Sequence, residues 1–282
     1  MKENHMTQDE RRIWLIRHLL DEMPQYKDTG IPTDPQEQWL LLRALFNVRM
    51  PAPVTKEFSE VEGEYLQELT REKGITDVKD LKPCMSDDRL VLWQGDITTL
   101  KCDAIVNAAN SGMTGCYRPN HNCIDNAEQT FAGAEMRYEC DQYMEKQASL
   151  HGGSYEEPTG HAVITKGYNL PAKYVIHTVG PIVQGWLTQK DKDLLASCYT
   201  SCLEKAEEYN LESIAFCCIS TGVFMFPQDK AAEIAVKTVK EYLDSHSDTS
   251  VKKVVFNVFK DSDLQIYDSL LNRKIRIHKP VL

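Results

Sequence analysis

The sequence predicts an α/β domain with a mixed or mainly parallel sheet, preceded by a helical N-terminal extension. Two patterns support this fold class. Apolar residues recur at helical spacing through the first third of the chain, and after Lys82 and Pro83 short β-branched segments alternate with helical ones. Such alternation is typical of a layered domain in which helices cover a sheet. We place the extension at residues 1–84 and the α/β domain at residues 85–282.

Three amphipathic helices are expected in the extension. Their apolar faces are Ile13, Ile16, Leu20 and Met23; Trp39, Leu42 and Phe46; and Phe58, Val61, Tyr65 and Leu69. Asp34 before Pro35 indicates a helix start, because a carboxylate caps free amides and proline suits the first helical position. Gly74 is expected to end the third helix. The acidic residues Glu57, Glu60, Glu62, Glu64, Glu68 and Glu72 are expected to form a solvated face.

Six strands and three longer helices are expected in the α/β domain. The strands are Leu90 to Gln94, Ala104 to Ala108, Ala162 to Thr165, Tyr174 to Thr178, Ser213 to Ile219 and Lys253 to Phe259. The helices run from about 126 to 147, about 193 to 209 and about 229 to 245. In such sheets ligands bind beyond the carboxyl ends of the strands, so the loops there are the places to search for chemistry.

Composition excludes several classes of protein. Hydrophobic residues make up 42% of the 282 residues, as in ordinary globular proteins, and the formal net charge of -10 disfavours nucleic acid as a partner. Nine cysteines lack the spacing of a disulfide framework, and the first residues lack the apolar core of a signal peptide. No run approaches the about 18 apolar residues of a membrane span. We therefore expect a cytoplasmic protein without membrane contact.

A metal site is indicated by Cys116, His121 and Cys123, which follow the second predicted strand. Two thiolates and an imidazole can bind one zinc ion, and three protein ligands leave the fourth tetrahedral position open, as in catalytic zinc sites. The alternative is a loop with two small buried thiols and a solvated histidine. The spacing alone leaves both interpretations open.

Three further loops follow predicted strands and carry side chains or amides suited to ligand binding. They are Gly95 to Thr98, containing Asp96; Asn107 to Gly112, containing Asn110; and Ser220 to Pro227. Each also has an ordinary structural interpretation, as a capping aspartate, turn-forming asparagines and a strand-to-helix connection. The chain contains no GxGxxG, Walker, HExxH or GxSxG motif, so dehydrogenase, nucleotidase and serine hydrolase functions lack support.

Taken together, the motifs GDIT, DAIVNAAN, YNLP, VIHTVGP and STGV, in that order, resemble the macrodomain family, whose members bind ADP-ribose. The resemblance runs from about Leu90 to about Leu270. The stretch GCYRPNHNCIDN is similar to that of the zinc-containing protein-ADP-ribose hydrolases, mostly known from microbes, which also carry a helical N-terminal extension. The resemblance implies a three-layer α/β/α domain with a mixed central sheet.

The resemblance also implies a role for each site residue. Asp96 and Ile97 would contact adenine, and Asn107 and Asn110 would lie near the distal ribose. The diphosphate and the adjoining ribose would be wrapped by Ser220, Thr221, Gly222, Val223 and Phe224. Zinc would be held by Cys116, His121 and Cys123, and Ile124 with Asp125 would flank the metal and the reacting sugar carbon.

The function implied is that of a zinc-dependent hydrolase that removes mono-ADP-ribose from protein side chains, with Asp125 and Asn110 as catalytic residues. Zinc would act mainly as an orienting Lewis acid, while Asp125 positions or deprotonates water. The family's histidine is replaced here by Gln129, which cannot act as a base. Two alternatives remain: a reader that binds ADP-ribosylated proteins without cleaving them, and an O-acetyl-ADP-ribose deacetylase.

Overall fold

The computed structural model describes residues 6–272. The eight α-helices of this range are α1 (Gln8–Glu22), α2 (Pro35–Val48), α3 (Lys56–Lys73), α4 (Ile124–Ala132), α5 (Ala134–Leu150), α6 (Gln189–Glu208), α7 (Gln228–Ser245) and α8 (Asp261–Leu271). The strands are β1 (Thr76–Asp77), β2 (Leu90–Gln94), β3 (Leu100–Lys101), β4 (Ala104–Ala109), β5 (Ala162–Lys166), β6 (Tyr174–Val179), β7 (Ser213–Phe216) and β8 (Lys253–Val258). The ends of the two predicted ranges, 1–5 and 273–282, lie outside the described residues.

The main sheet has six strands in the order β2-β8-β7-β4-β6-β5. All neighbours are parallel except β5, which runs antiparallel to β6 at one edge. The short strands β1 and β3 form a separate parallel pair. The predictions of an α/β fold with a mixed central sheet, flanking helices and an N-terminal helical region are therefore confirmed.

The register of the central strands explains how helices cover both faces. Val106, Phe216 and Phe256 are in register on neighbouring strands and share one face. On that face Phe216 packs against Tyr199 of α6, with ring centroids 4.9 Å apart. The next residue of β4, Asn107, faces the opposite side and bonds to Asp125 of α4. The α4 side of the sheet is the side on which the candidate site forms.

The N-terminal helices form their own apolar cluster, with fully buried residues such as Leu15, Leu42 and Tyr65. The predicted helix starts and ends are accurate: the carboxylate of Asp34 accepts hydrogen bonds from two backbone amides at the start of α2, and α3 ends at Gly74. Trp39 packs against both this cluster and the main core. The extension is therefore continuous with the α/β domain in its packing. The boundary at residue 84 stays a prediction.

Two buried ionisable side chains cap helices across the junction between the N-terminal extension and the α/β domain. Arg137 of α5 donates to the carbonyl oxygens of Phe46, Asn47 and Arg49 at the end of α2. In return, both carboxylate oxygens of Glu62 on α3 lie 3.1 Å from the amide nitrogen of Ala134, the first residue of α5. The prediction that Glu62 belongs to a solvated face is wrong, because this side chain is only 1% exposed. Burial raises its pKa to about 8.

Several element boundaries differ from those predicted. The single helix expected from about 126 to 147 is two helices, separated at Gly133, whose φ of 96° no ordinary helix residue adopts. Strand β7 ends at Phe216, before the predicted Ile219. The residues that follow leave the sheet and form turns and bends at 219–224. Helix α8 was not assigned from sequence. Within residues 6–272, no helix combines the length and apolarity needed to cross a membrane.

Candidate functional site

The predicted metal ligands meet in the loop between β4 and α4. One ligand atom from each of Cys116, His121 and Cys123 lies within 4.8 Å of the others, and the Sγ of Cys116 is 3.5 Å from Nδ1 of His121. Zinc lies ~2.3 Å from thiolate sulfur and ~2.0 Å from imidazole nitrogen, so two tetrahedral ligands stand roughly 3.5–3.8 Å apart. The donor set and its spacing therefore suit zinc. Within the described residues 6–272 it is the one such His, Cys or carboxylate cluster.

Cys123 also begins the helix that carries the predicted catalytic acid. Its Sγ accepts a hydrogen bond from the amide of Asn126 at 3.4 Å, which makes Cys123 the N-cap of α4. The following residues, Ile124 and Asp125, form the first turn of the helix. This local geometry fixes Asp125 two residues after Cys123, at the positive end of the helix dipole.

Asp125 is held by two asparagines from the end of β4. Its Oδ1 accepts from Nδ2 of Asn107 at 2.8 Å, and its Oδ2 accepts from Nδ2 of Asn110 at 3.2 Å. The side chain is 5% exposed, and burial raises its pKa to about 6 despite these two donors. A carboxyl group with this pKa is mostly ionised at pH 7, which is the form that accepts a proton.

Asn107 is itself fixed by a buried histidine. Its Nδ2 also donates to Nδ1 of His177 at 3.1 Å, and Nε2 of His177 lies 2.9 Å from the hydroxyl of Thr165. Since Nδ1 accepts, the proton of the neutral ring is on Nε2 and is donated to Thr165. Asn107 is fully buried, behind Asp125, so its place in the structure is that of a support for the acid.

Asn110 lies nearer the surface and ends the strand with a turn. Its Oδ1 accepts from the amide of Gly112 at 2.9 Å, and its Nδ2 also reaches the carbonyl oxygen of Gly115 at 3.1 Å. The turn-forming interpretation of this residue is thus correct, and the same side chain contacts Asp125. Gln129 lies one helical turn after Asp125 on α4. Its side chain is 4% exposed and lies beside Gly115.

Asp96 is a capping residue, as one of its two interpretations from the sequence predicts. Its Oδ1 accepts from the amide and the hydroxyl of Thr98 at 3.0 and 2.6 Å, and its Oδ2 pairs with Lys73 at 2.8 Å. Lys73, from the end of α3, also lies 3.5 Å above the ring of Phe131. Sequence reasoning missed Lys73, because no local pattern connects it to Asp96. Ile97 beside them is 2% exposed.

The segment from Ser220 to Phe224 follows β7 and offers backbone donors. Among the described residues, none accepts a hydrogen bond from the amides of Gly222, Val223 or Phe224. Ser220 has a φ of 65°, an unusual conformation for serine that turns the chain at this point. The carbonyl oxygen of Phe224 accepts from the amide of Val183, which ties this segment to the loop after β6. Three consecutive backbone amides without an acceptor are donors of the kind that bind phosphate oxygens.

These groups lie at one edge of the sheet. Asp96 follows β2, Asn110 follows β4 and Ser220 follows β7, and these three strands run parallel. In the order of strands β2, β7 and β4, this edge carries first the capped acid, then the free amides, and last the Cys-His-Cys cluster with the supported carboxylate. An elongated ligand with a phosphate group at its middle fits such a row.

Comparisons with known proteins show which family this chain resembles. The family model described as Macro domain matches residues 106–235. A protein of Treponema medium named protein-ADP-ribose hydrolase is 54% identical over 269 residues, which cover 95% of this chain and all of that protein. A protein of the same name from Staphylococcus aureus strain MSSA476 is 48% identical over 263 residues, covering 92% of this chain and 95% of that one.

Solved structures give the same result for the fold. The Trypanosoma brucei macrodomain in complex with ADP-ribose is 27% identical, with a TM-score of 0.61, covering 85% of this chain and 96% of that one. An Oceanobacillus iheyensis macrodomain mutant with ADPR is 35% identical, with a TM-score of 0.57, covering 66% of this chain and 95% of that one.

Proposed function

This chain belongs to the macro domain family, and from that premise we propose that it is a zinc-dependent hydrolase that removes mono-ADP-ribose from modified protein side chains. The relatives named protein-ADP-ribose hydrolase match 95% and 92% of this chain. One observation carries the proposal: Asp125, held by Asn107 and Asn110, lies two residues from Cys123 in the metal-ligand cluster. A proton acceptor therefore stands beside three side chains that together could hold a metal ion.

The binding roles follow the order of the strands. The amides of Gly222, Val223 and Phe224 bind the diphosphate of ADP-ribose, since they are free and require no lysine. Asp96, with Ile97 beside it, accepts a hydrogen bond from the adenine amino group through the one acceptor position, on Oδ2, that Lys73 and Thr98 leave available. The distal ribose then reaches Asn110, Ile124 and Asp125. Asn107 acts from behind by fixing Asp125.

Cys116, His121 and Cys123 would hold zinc, and a zinc ion bound there would supply a Lewis acid for the reaction. Asp125 orients a water molecule and takes its proton as the water oxygen bonds to the anomeric carbon of that ribose. The bond from this carbon to the protein side chain breaks, and its electron pair leaves with the side chain. The side chain then takes up the proton that Asp125 accepted from the water. Asn110 positions the sugar through its carboxamide. Gln129 cannot transfer protons, so the chemistry of the chain's own residues rests on Asp125.

A reducing compartment suits this site. All nine cysteines are free, including the two predicted zinc ligands, which a disulfide between them would destroy. We therefore place the protein in the cytoplasm.

The decisive experiment measures release of ADP-ribose from serine-linked and aspartate-linked ADP-ribosylated proteins by the purified full chain. Release should occur with bound zinc, stop on treatment with a chelator and return on adding zinc. Binding of ADP-ribose without release would favour a reader, an interpretation that Gln129 supports. Release of acetate from O-acetyl-ADP-ribose, with the protein linkages left intact, would favour the deacetylase.

A further inference from the structure

Arg43, on helix α2 of the N-terminal extension, reaches into the metal-ligand loop. Its Nη2 donates to the carbonyl oxygen of His121 at 3.0 Å and to Oδ1 of Asn126 at 2.9 Å. One guanidinium nitrogen thus holds the backbone of a predicted ligand and a side chain of α4 together. Arg43 and Asn126 are 83 residues apart in sequence, so this contact joins two regions of the fold.

Asn126 connects the same guanidinium to the other two predicted ligands. Its Nδ2 donates to the carbonyl oxygens of Cys116 at 3.3 Å and of Arg118 at 3.1 Å, and its backbone amide donates to Sγ of Cys123. The residue is fully buried. With Arg43 on its Oδ1, Asn126 contacts Cys116 through its carboxamide, Cys123 through its backbone amide and His121 through Arg43.

A second contact from α2 fixes the turn before His121. The amide of Asn120 donates to Oδ1 of Asn47 at 2.9 Å, and Nδ2 of Asn120 donates to the carbonyl oxygen of Leu40 at 3.2 Å. Asn120 has a φ of 53°, a conformation that the surrounding contacts must hold in place. Nδ2 of Asn47 bonds to Thr130 of α4 at 3.0 Å, so the turn and α4 share one support.

We infer that Arg43 and Asn126 are positioning residues of the metal centre, and that helix α2 preorganises the Cys-His-Cys loop for zinc. The inference rests on the proposed function for the presence of zinc, but the contacts that carry it belong to the chain. A flexible loop must lose conformational freedom when it binds a metal, whereas a loop already fixed in the binding arrangement does not. Groups that orient ligands in this way typically change metal affinity about 10- to 100-fold when removed.

The test compares zinc affinity in the full-length chain and its variants by competition with a chromophoric chelator. Arg43→Gln should weaken zinc binding about 10- to 100-fold, because the shorter amide cannot bond to both His121 and Asn126. Arg43→Lys lacks the planar guanidinium but keeps the positive charge, so its zinc affinity should fall less than that of Arg43→Gln. Arg11→Gln, which removes an ion pair with Glu64 elsewhere on the extension, is the matched control and should bind zinc as the wild type does.

Asn126→Asp provides a second route if Arg43→Gln does not fold. It keeps the acceptor for Arg43 and replaces the donor to Cys116 and Arg118 with a repelling oxygen, so zinc affinity should again fall at least about 10-fold. Unchanged affinity in folded Arg43→Gln or Asn126→Asp would overturn the inference.

Amide hydrogen exchange over residues 116–123 separates this inference from the metal assignment. Faster exchange in Arg43→Gln than in the wild type, with exchange in the central strands unchanged, supports the positioning role whether or not zinc binds. If the wild type takes up no zinc, the zinc proposal fails, and equal exchange in this segment would overturn the positioning role as well.

Discussion

Asn107 on β4 and His177 on β6 are direct neighbours in the register of the sheet, and Nδ2 of Asn107 donates to Nδ1 of His177 at 3.1 Å. The same Nδ2 donates to Asp125, so the histidine in the core supports the amide orientation that holds the acid. Reversing that amide would place its oxygen against two acceptors. The sheet register thereby controls a group in the candidate active site.

Replacement of Asp125 by asparagine should separate binding from turnover. The variant keeps the size of the side chain but cannot accept a proton, so turnover should fall by at least about 100-fold. Affinity for ADP-ribose, measured by calorimetry, should change by less than about threefold, because the diphosphate amides are untouched. Asp248→Asn, on the exposed surface, is the control and should retain full turnover. Undiminished release of ADP-ribose by Asp125→Asn would contradict the assigned role.

Cys116→Ser should lose zinc. A serine hydroxyl remains protonated near neutral pH and is a poor ligand, so affinity should fall by more than about 100-fold, beyond the loss typical of a residue that only supports a ligand. Metal analysis after dialysis against a weak chelator measures this. Cys84→Ser removes a buried thiol outside the site and should keep the zinc content of the wild type. Equal zinc in both variants would contradict the ligand assignment.

The buried His177 should make stability depend on pH in the acidic range. Burial lowers its pKa to about 4 in the folded chain, against about 6.5 when unfolded. The free energy of unfolding therefore has its full value, as far as His177 is concerned, above pH 6.5. It decreases as the pH falls toward 4, by up to about 1.4 kcal/mol per pH unit. Denaturant unfolding of wild type and His177→Gln should show a shallower acid dependence in the variant. Between pH 7 and 8 the two slopes should agree, and an unchanged acid slope would contradict the prediction.

Gly133→Ala should destabilise the fold by roughly 2–4 kcal/mol, from backbone strain and loss of a helix cap. With φ at 96° and ψ at 179°, an added Cβ would lie 2.6 Å from Oε2 of Glu62, the group that caps α5. Gly152→Ala is the control, since its φ is also positive, at 87°, but no atom lies within 4 Å of the added carbon. It should cost about 1 kcal/mol. Equal losses by chemical denaturation would mean that the contact with Glu62 has no energetic effect.

Local patterns predicted the parts of the fold that depend on local physics. The strands and the start of α2 follow from β-branched runs and from the capping carboxylate of Asp34. The separation of α4 from α5 could not be predicted, because glycine is tolerated in helices and the break at Gly133 depends on Glu62, 72 residues away from Ala134 in sequence. The burial of Glu62 had a positional signal, since it stands four residues after Phe58 on the apolar face of α3, but the amide that it caps is distant in sequence.

The candidate site divides in the same way. Cys116, His121, Cys123 and Asp125 lie within ten residues, so their meeting could be inferred from one motif. Their supports are distant: Arg43 comes from another helix, and His177 from a strand that pairs with β4 only after the sheet forms. A single sequence does not show which distant side chains will become neighbours.

The position of Trp39 bears on how the N-terminal extension and the α/β domain evolve. Its ring is 6.1 Å from Tyr65 in the extension and 6.1 Å from Phe131 in the α/β domain, so one indole belongs to both cores. A domain attached through a solvated linker can be exchanged between genes without loss of stability. Where two parts share a buried aromatic side chain, separation leaves an exposed apolar surface on each part. The helices and the sheet are therefore expected to pass from ancestor to descendant as one piece.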